Sequence, residues 1–202
     1  MKRQQIITAI LMLIVAAVAI RGAMKPRLGK LKFTVRGDIA YGNGGTDGWS
    51  RHDVNKALDD NPQVKTLVLK LMPGTQDSAT NLKLARDIRK RGLNTHLESK
   101  SIIASGAVDL FLSGVERTME CGALIGVHSW SISGARETIR ISPTDMGADQ
   151  FQKHHERFLS DMGIDPAFYA FTRAAAEPEH IHYMSMEEIR RFGLLTDYPD
   201  CD

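Results

Sequence analysis

The chain has 202 residues, which suffices for one domain with a sizeable hydrophobic core. Its 26 basic and 24 acidic residues are well mixed, and the formal net charge of +2 argues against nucleic acid as the main partner. The 2 cysteines are too few for a disulfide framework, so cysteine content leaves the redox compartment open.

The N-terminus combines a short basic start with an apolar run. Residues 6–20 are uncharged, a length between that of a signal-peptide core and the about 20 residues of a full membrane span. Residues 1–23 are therefore interpreted as a signal peptide or an N-terminal membrane anchor, and residues 24–30 as a linker. More basic residues follow the run than precede it, which by the positive-inside rule favours a cytoplasmic body. We nevertheless expect a periplasmic or other extracytoplasmic protein, anchored to the inner membrane if residues 6–20 are retained.

From residue 31 onward, strand and helix patterns alternate. Apolar–polar alternation and runs of β-forming residues predict strands over 31–39, 65–72, 93–99, 123–131 and 180–184. Helical spacing of apolar residues predicts helices over 51–62, 78–92, 105–114, 143–163 and 185–193, the last capped by Ser185. The glycine-rich residues 41–50 are predicted to form a loop. This order predicts one α/β domain over residues 31–198, with a mainly parallel sheet.

Three short motifs could carry chemistry. Ser105 lies between Ala104 and Gly106 at the start of an apolar helix, and His128 ends a predicted strand. Gly74 follows a buried strand in a Pro-Gly turn. Each motif also has a purely structural interpretation, as a small residue at a close helix contact, a histidine packed in the core and a turn glycine.

These motifs belong to a longer series, which is Pro73-Gly74, Ala104-Ser105-Gly106, Ser113-Gly114, Gly126-Val127-His128 and Met184–Asp197. The series resembles the proteolytic subunit of Clp protease and its relatives in the Clp/crotonase-like superfamily. That superfamily includes exported and membrane-anchored peptidases such as signal peptide peptidase A. The resemblance covers about residues 31–197. It implies an α/β fold built from repeated ββα units.

The resemblance also implies a role for each motif. Ser105 would be the nucleophile and His128 the general base, while the backbone N–H groups of Gly74 and Gly106 would form the oxyanion hole. The chemistry is consistent, because a serine hydroxyl needs a base to take its proton and histidine titrates near neutral pH. Backbone N–H groups can stabilise the oxyanion of a tetrahedral intermediate. The expected protein is a serine peptidase that acts on a peptide or protein substrate, without a cofactor or a metal.

Two positions depart from the pattern of the family. Thr75 stands where the Clp-type turn has a second glycine, and Ile181 stands where the third catalytic residue, an aspartate, is expected. A shift of one or two residues would make Glu179 the third member. The other nearby carboxylates are Glu177, Asp161 and Asp165. The departures favour an alternative, a catalytically degenerate Clp-like fold that acts as a membrane-anchored binding or scaffold protein. An acyl-CoA enzyme of the crotonase type is a third interpretation.

Histidines and a helical stripe offer two further interpretations. His180 and His182 would share one face of a strand, with His154 and His155 upstream, but no cysteine pair supports a metal site. We expect ordinary packed or solvated histidines. The helix over 143–163 has an apolar stripe, interpreted as core, with subunit contacts in a homo-oligomer as the alternative. The stripe consists of Phe151, His155, Phe158, Leu159 and Met162.

Overall fold

The computed structural model describes residues 30–129, 132–133, 138–139 and 148–201. The predicted signal or anchor segment and nearly all of the linker lie outside the described residues, as does the start of the helix predicted over 143–163. Within the described ranges, no helix is both long enough and apolar enough to cross a membrane.

The strands form two main sheets and a small two-stranded one. The first sheet has the order β1-β2-β3-β5-β7 and consists of β1 (Lys32–Arg36), β2 (Ile39–Asn43), β3 (Thr66–Leu69), β5 (Asn94–Leu97) and β7 (Arg117–Met119). The second has the order β11-β8-β6-β4 and consists of β4 (Leu71–Met72), β6 (Ile102–Ala104), β8 (Leu124–Val127) and β11 (His182–Tyr183). The small sheet pairs β9 (Ile132–Ser133) with β10 (Thr138–Ile139). All pairs in the main sheets are parallel except β1 with β2 and β11 with β8.

Six helices are described, and each lies between strands or at the C-terminal end of the chain. They are α1 (Ser50–Asp59), α2 (Ser78–Lys90), α3 (Gly106–Leu112), α4 (Ala148–Asp161), α5 (Ala167–Ala175) and α6 (Met186–Arg191). Consecutive strands enter different sheets, since β3, β5 and β7 join the first sheet while β4, β6 and β8 join the second. Helix α2 follows the first of these strand pairs and α3 follows the second, which gives the mixed α/β arrangement expected from the sequence.

The second sheet places the candidate residues at one edge. Strand β6 pairs in parallel with β4 on one side and with β8 on the other. Parallel strands end at the same edge of a sheet. Gly74, Ser105 and His128, which follow these three strands, therefore emerge next to one another.

Several predicted elements are confirmed and others are corrected. Helices α1, α2, α3 and α6 lie within the predicted ranges apart from one residue at the start of α1, and Ser185 caps α6 in a reciprocal pair with Glu188. The strand predicted over 65–72 is two strands, because the chain changes sheets at Lys70. The predicted loop over 41–50 contains the end of β2. Strands β6, β7, β9 and β10 and helix α5 were not predicted, since strands of two or three residues and a short apolar helix carry little periodicity.

The apolar stripe of α4 packs into the core. His155, Phe158, Leu159 and Met162 are all buried, and only Phe151 keeps partial exposure. This supports the core interpretation of the stripe. A homo-oligomer remains a prediction.

A disulfide joins Cys121, in the turn before β8, to Cys201 near the C-terminus, with 5.7 Å between their Cα atoms. From the sequence, the two cysteines were too few to indicate a disulfide framework, and their pairing was not predicted. The bond ties the last residues of the chain across a separation of 80 residues. A crosslink of this length restricts the unfolded chain and so stabilises the fold.

Replacing Cys201 with serine should lower the free energy of unfolding by about 2 to 4 kcal/mol, because the unfolded chain regains the freedom that the crosslink removes. Urea unfolding of the variant and of the oxidised wild type measures the difference. Wild type in reductant is the matched control and should unfold like the variant. Equal stability of all three samples, or two titratable thiols in the oxidised wild type, would contradict the prediction.

Candidate active site

Ser105 has the most unusual backbone conformation among the described residues. Its φ is 55° and its ψ is −133°, and it is the only described residue other than glycine with a positive φ. Such conformations cost about 1 to 3 kcal/mol and persist only where the surroundings impose them. The Ser105 N–H donates to the carbonyl of Gly126 (3.0 Å), and the Ser105 carbonyl accepts from the N–H of Val108 (2.9 Å). A serine chosen only for its small size would not need this conformation.

Gly74 brings its backbone directly against Ser105. A Cβ atom at Gly74 would lie 2.9 Å from the Ser105 Cβ and 3.3 Å from its Oγ, and the φ of Gly74 is 135°. The Gly74 carbonyl accepts from the N–H of Thr46 (3.0 Å), which fixes the turn. Within the described part of the chain, the N–H groups of Gly74 and Gly106 donate no backbone hydrogen bond. Two N–H groups beside the serine are thus available to an oxygen atom.

Thr75, the first departure from the family's pattern, is accommodated by Gly106. A Cβ atom at Gly106 would collide with Cγ2 of Thr75 and lie 2.8 Å from its Cβ. The φ of Thr75 is negative, so the position does not require a glycine conformation. The threonine side chain occupies space that only a glycine after Ser105 leaves open.

A buried amide connects the two segments that flank the serine. The side chain of Asn81 accepts from Thr46 Oγ1 (2.8 Å) and donates to the Gly106 carbonyl (2.7 Å). The same Nδ2 donates to Oδ2 of Asp109 (3.3 Å). Sequence reasoning missed Asn81, which lies on the buried face of α2 where apolar residues are the norm.

His128 lies at the same edge, half-buried, at the end of β8. Burial lowers its pKa, an effect opposed by the Ser129 backbone and by the charge of Glu179. A lowered pKa leaves the imidazole neutral at pH 7, the form that can accept a proton. No hydrogen bond within the described residues joins His128 to Ser105, and the buried Nδ1 of His128 has no described partner.

At the position where the resemblance implies a catalytic aspartate, the chain has no carboxylate. The pairing of His182 with Val127, extended by one residue, sets Ile181 opposite His128. Glu179 is exposed, although its charge acts on His128. Asp161 and Asp165 lie elsewhere, since Asp161 pairs with Arg86 (3.1 Å) and Asp165 accepts from the N–H of Ala167 (2.9 Å).

Asp109 is a site residue that sequence reasoning missed. It lies one turn after Ser105 and is the only charged residue of the otherwise apolar helix α3. A single carboxylate in an apolar helix was the sequence signal that could have identified it. Burial raises the pKa of its carboxyl to about 6, opposed by the charge of His155 and by the hydrogen bond from Asn81. Asp109 is surrounded by protein and still partly accessible, because it faces a cavity.

His155 also lines that cavity, and its charge acts on Asp109. Its Nδ1 is 3.1 Å from the carbonyl of Phe151, and its ring stacks on Tyr169 with 4.8 Å between centroids. These contacts fix the ring in place. His155 is thus buried, as the core interpretation of the helical stripe predicts, and it also borders the cavity.

The histidines considered for a metal site are dispersed. His154 and His180 are exposed, whereas His182 Nε2 lies 3.0 Å from the carboxylate of Glu188. In the ranges that the structure describes, no three potential ligands among His, Cys, Asp and Glu are close enough to hold a metal ion.

The cavity has a volume of about 920 Å³ and is lined by three of the candidate residues, Ser105, Gly106 and His128, whereas Gly74 and Glu179 are not among its described lining residues. Its described lining includes Ser105, Gly106, Asp109, His128 and His155. The described lining contains no lysine, and its two imidazoles are those of His128 and His155.

No protein-family model matches this chain, and a search of curated proteins finds no match. Solved structures do match. The membrane-bound stomatin-specific protease 1510-N, with a serine replaced by alanine, has a TM-score of 0.56 and 10% identity over 82% of this chain and 81% of that chain. Its lysine-to-alanine mutant in complex with a substrate peptide has a TM-score of 0.57 and 10% identity, over 82% and 77%. An enoyl-CoA hydratase/isomerase family member has a TM-score of 0.50 and 13% identity, over 87% and 71%.

The chain has the Clp/crotonase-like fold. The fold-level expectation from the sequence is therefore confirmed. At this identity the matches establish the architecture, and the chemistry has to be argued from the residues at the site.

Replacing Gly74 with alanine should abolish any reactivity of Ser105, because the new Cβ would meet the Ser105 side chain at 2.9 Å. Gly122→Ala is the matched control, since Gly122 also has a positive φ (93°) and a 2.9 Å clash, there with the Ser99 carbonyl. Labelling by a fluorophosphonate, with circular dichroism to verify folding, measures the effect. Labelling that survives in folded Gly74→Ala would contradict the close approach of the two residues.

Replacing Asp109 with asparagine should stabilise the protein at about pH 8 and not at about pH 3.5. The folded-state carboxyl has a pKa raised from 3.8 to about 6, so stability falls as pH rises through this interval. The ionised Asp109 therefore lowers the free energy of unfolding by about 2 to 3 kcal/mol at pH 8. A neutral asparagine side chain of the same shape removes this loss. Urea unfolding at both pH values measures it, with the exposed Asp161→Asn as control. An equal effect at both pH values would rule out a raised pKa.

Proposed function

We propose that the protein is a serine hydrolase, and specifically a peptidase of the Clp-like type, with Ser105 as nucleophile and His128 as general base. The observation that carries the proposal is the strained backbone of Ser105, held against the Gly74 backbone. Strain of this kind concentrates at functional sites. It also presents the hydroxyl to the cavity beside two available N–H groups.

The proposed reaction proceeds in two stages. Ser105 Oγ attacks the carbonyl carbon of a peptide bond while the His128 imidazole takes the hydroxyl proton. The N–H groups of Gly74 and Gly106 stabilise the resulting oxyanion. When the C–N bond breaks, His128 returns the proton to the leaving amine, and the acyl group stays on Ser105. Water, deprotonated by His128, then hydrolyses the ester and restores the serine.

Glu179 is proposed as the third member, acting through its charge. A negative charge near His128 stabilises the imidazolium that forms when the proton is taken. This role needs no direct hydrogen bond. It is compatible with the exposed position of Glu179 and with the electrostatic interaction between the two side chains.

A second candidate function is that of a catalytically degenerate, membrane-anchored binding or scaffold protein. The buried Nδ1 of His128 has no partner among the described residues, and Ile181 stands opposite this histidine. An imidazole without an orienting acid is a weak base in a catalytic triad. The cavity would then bind a partner without reacting with it.

The proposed location is extracytoplasmic, with residues 6–20 as signal or inner-membrane anchor. The disulfide between Cys121 and Cys201 supports this location, because disulfides persist in oxidising compartments and are rare in the cytosol. The proposed partners are a peptide or protein substrate, the membrane and further copies of the chain in a homo-oligomer. The proposed chemistry uses no cofactor and no metal.

A fluorophosphonate should label the full chain in detergent, and the label should be lost in Ser105→Ala. His128→Ala should slow labelling by a factor of about 100 or more, the usual contribution of a general base. Ser101→Ala is the matched control, since Ser101 is a buried serine close to the site in sequence, and it should label normally. Because the pKa of His128 is lowered, labelling should persist below the ordinary histidine range of about 6.5. A folded wild type that is never labelled would favour the binding protein.

A further inference from the structure

The cavity beside Ser105 has an acceptor that the proposed reaction does not use. Asp109 follows Ser105 by four residues, about 6 Å along the helix axis. Its Oδ2 accepts from Asn81, while no described residue donates a hydrogen bond to its Oδ1. A carboxylate oxygen without a donor is costly to bury unless a cation or another donor comes to it.

The charge of the described cavity lining is negative. Asp77 and Asp109 supply carboxylates, and the described lining has neither lysine nor arginine. Hydrogen bonds from the backbone and side chain of Thr80 lower the pKa of Asp77 and keep it ionised. A recess lined by one sign of charge attracts the opposite charge.

The rest of the described wall suits an apolar stem. Val108 and Leu159 are almost fully buried, and Phe168 is part of the core. All three line the cavity. Lysine and arginine bury their methylene chains along such surfaces while the charged end seeks a polar partner.

We propose that this cavity binds a lysine or arginine side chain of a peptide, with Asp109 as the counter-ion. The inference rests on the proposed function in one respect, namely that the basic residue is the one whose carbonyl Ser105 attacks. Asn81 positions the carboxylate by holding Oδ2, which leaves Oδ1 for the ligand. The charge of His155 helps to keep Asp109 ionised when the subsite is empty.

Binding can be measured without hydrolysis in the full chain carrying Ser105→Ala. Fluorescein-labelled hexapeptides that differ only in one central residue, lysine or norleucine, are compared by equilibrium anisotropy. Norleucine keeps the stem and removes the charge. The lysine peptide should bind at least about tenfold more tightly, because a charge-assisted hydrogen bond contributes about 1.5 to 3 kcal/mol.

Adding Asp109→Asn should bring the ratio of the two affinities to about 1 by removing the charge that favours lysine. Adding Asp161→Asn, a control at an exposed carboxylate, should leave the ratio unchanged. The proposal is overturned if lysine gives no advantage, if the advantage survives Asp109→Asn, or if the lysine peptide does not bind. Any of these results would mean that Asp109 serves only to neutralise the charge of His155 inside the protein.

Labelling separates this inference from the proposed function. A fluorophosphonate carries no side chain, so it reports on Ser105 alone. If it labels the wild type while the two peptides bind equally, the subsite is wrong and the hydrolase stands. If it never labels and lysine is still preferred, the hydrolase is wrong and the cation-binding cavity stands. Peptidyl phosphonates with lysine or norleucine next to phosphorus should differ in labelling rate in the same direction as the binding affinities.

Discussion

The parallel register of β4, β6 and β8 is the constraint on which the candidate site depends. Because these neighbouring strands end at one edge of the second sheet, the residues that follow them, Gly74, Ser105 and His128, meet although they are far apart in the chain. The alternation of strands between two sheets makes this possible. Helices α2 and α3, which follow β4 and β6, contribute their first residues Ser78, Ala79 and Gly106 to the cavity lining.

Two features at this edge of the second sheet destabilise the folded protein. The strained backbone of Ser105 and the raised pKa of Asp109 both cost free energy in the folded state. Asn81 compensates in part, because one buried amide satisfies Thr46, Gly106 and Asp109 together. A chain selected only for stability would be expected to replace Asp109 with an apolar residue, so its presence suggests a role in binding.

Sequence patterns predicted the elements with strong periodicity and missed those without it. The capped helix α6 and the apolar stripe of α4 were predictable, since a capping box and helical spacing are local signals. The sheet change at Lys70 and the short strand β6 were not, because no local rule says which sheet a strand will join. Asn81 and Asp109 were missed for a related reason, because their roles depend on contacts with residues that are distant in sequence.

By itself, the sequence determined the α/β class and the order of the motifs, because these depend on patterns along the chain. The resemblance of those motifs to a known family then implied Ser105, His128, Gly74 and Gly106 as candidates. Only the tertiary structure decided that Ser105 is strained against Gly74, that Cys121 pairs with Cys201 and that Asp109 lines the cavity. It also set the register of β11 with β8 that, extended by one residue, places Ile181 opposite His128. Contact and burial arise between residues distant in sequence. Only the folded chain can therefore set a backbone angle, a pKa or a disulfide partner.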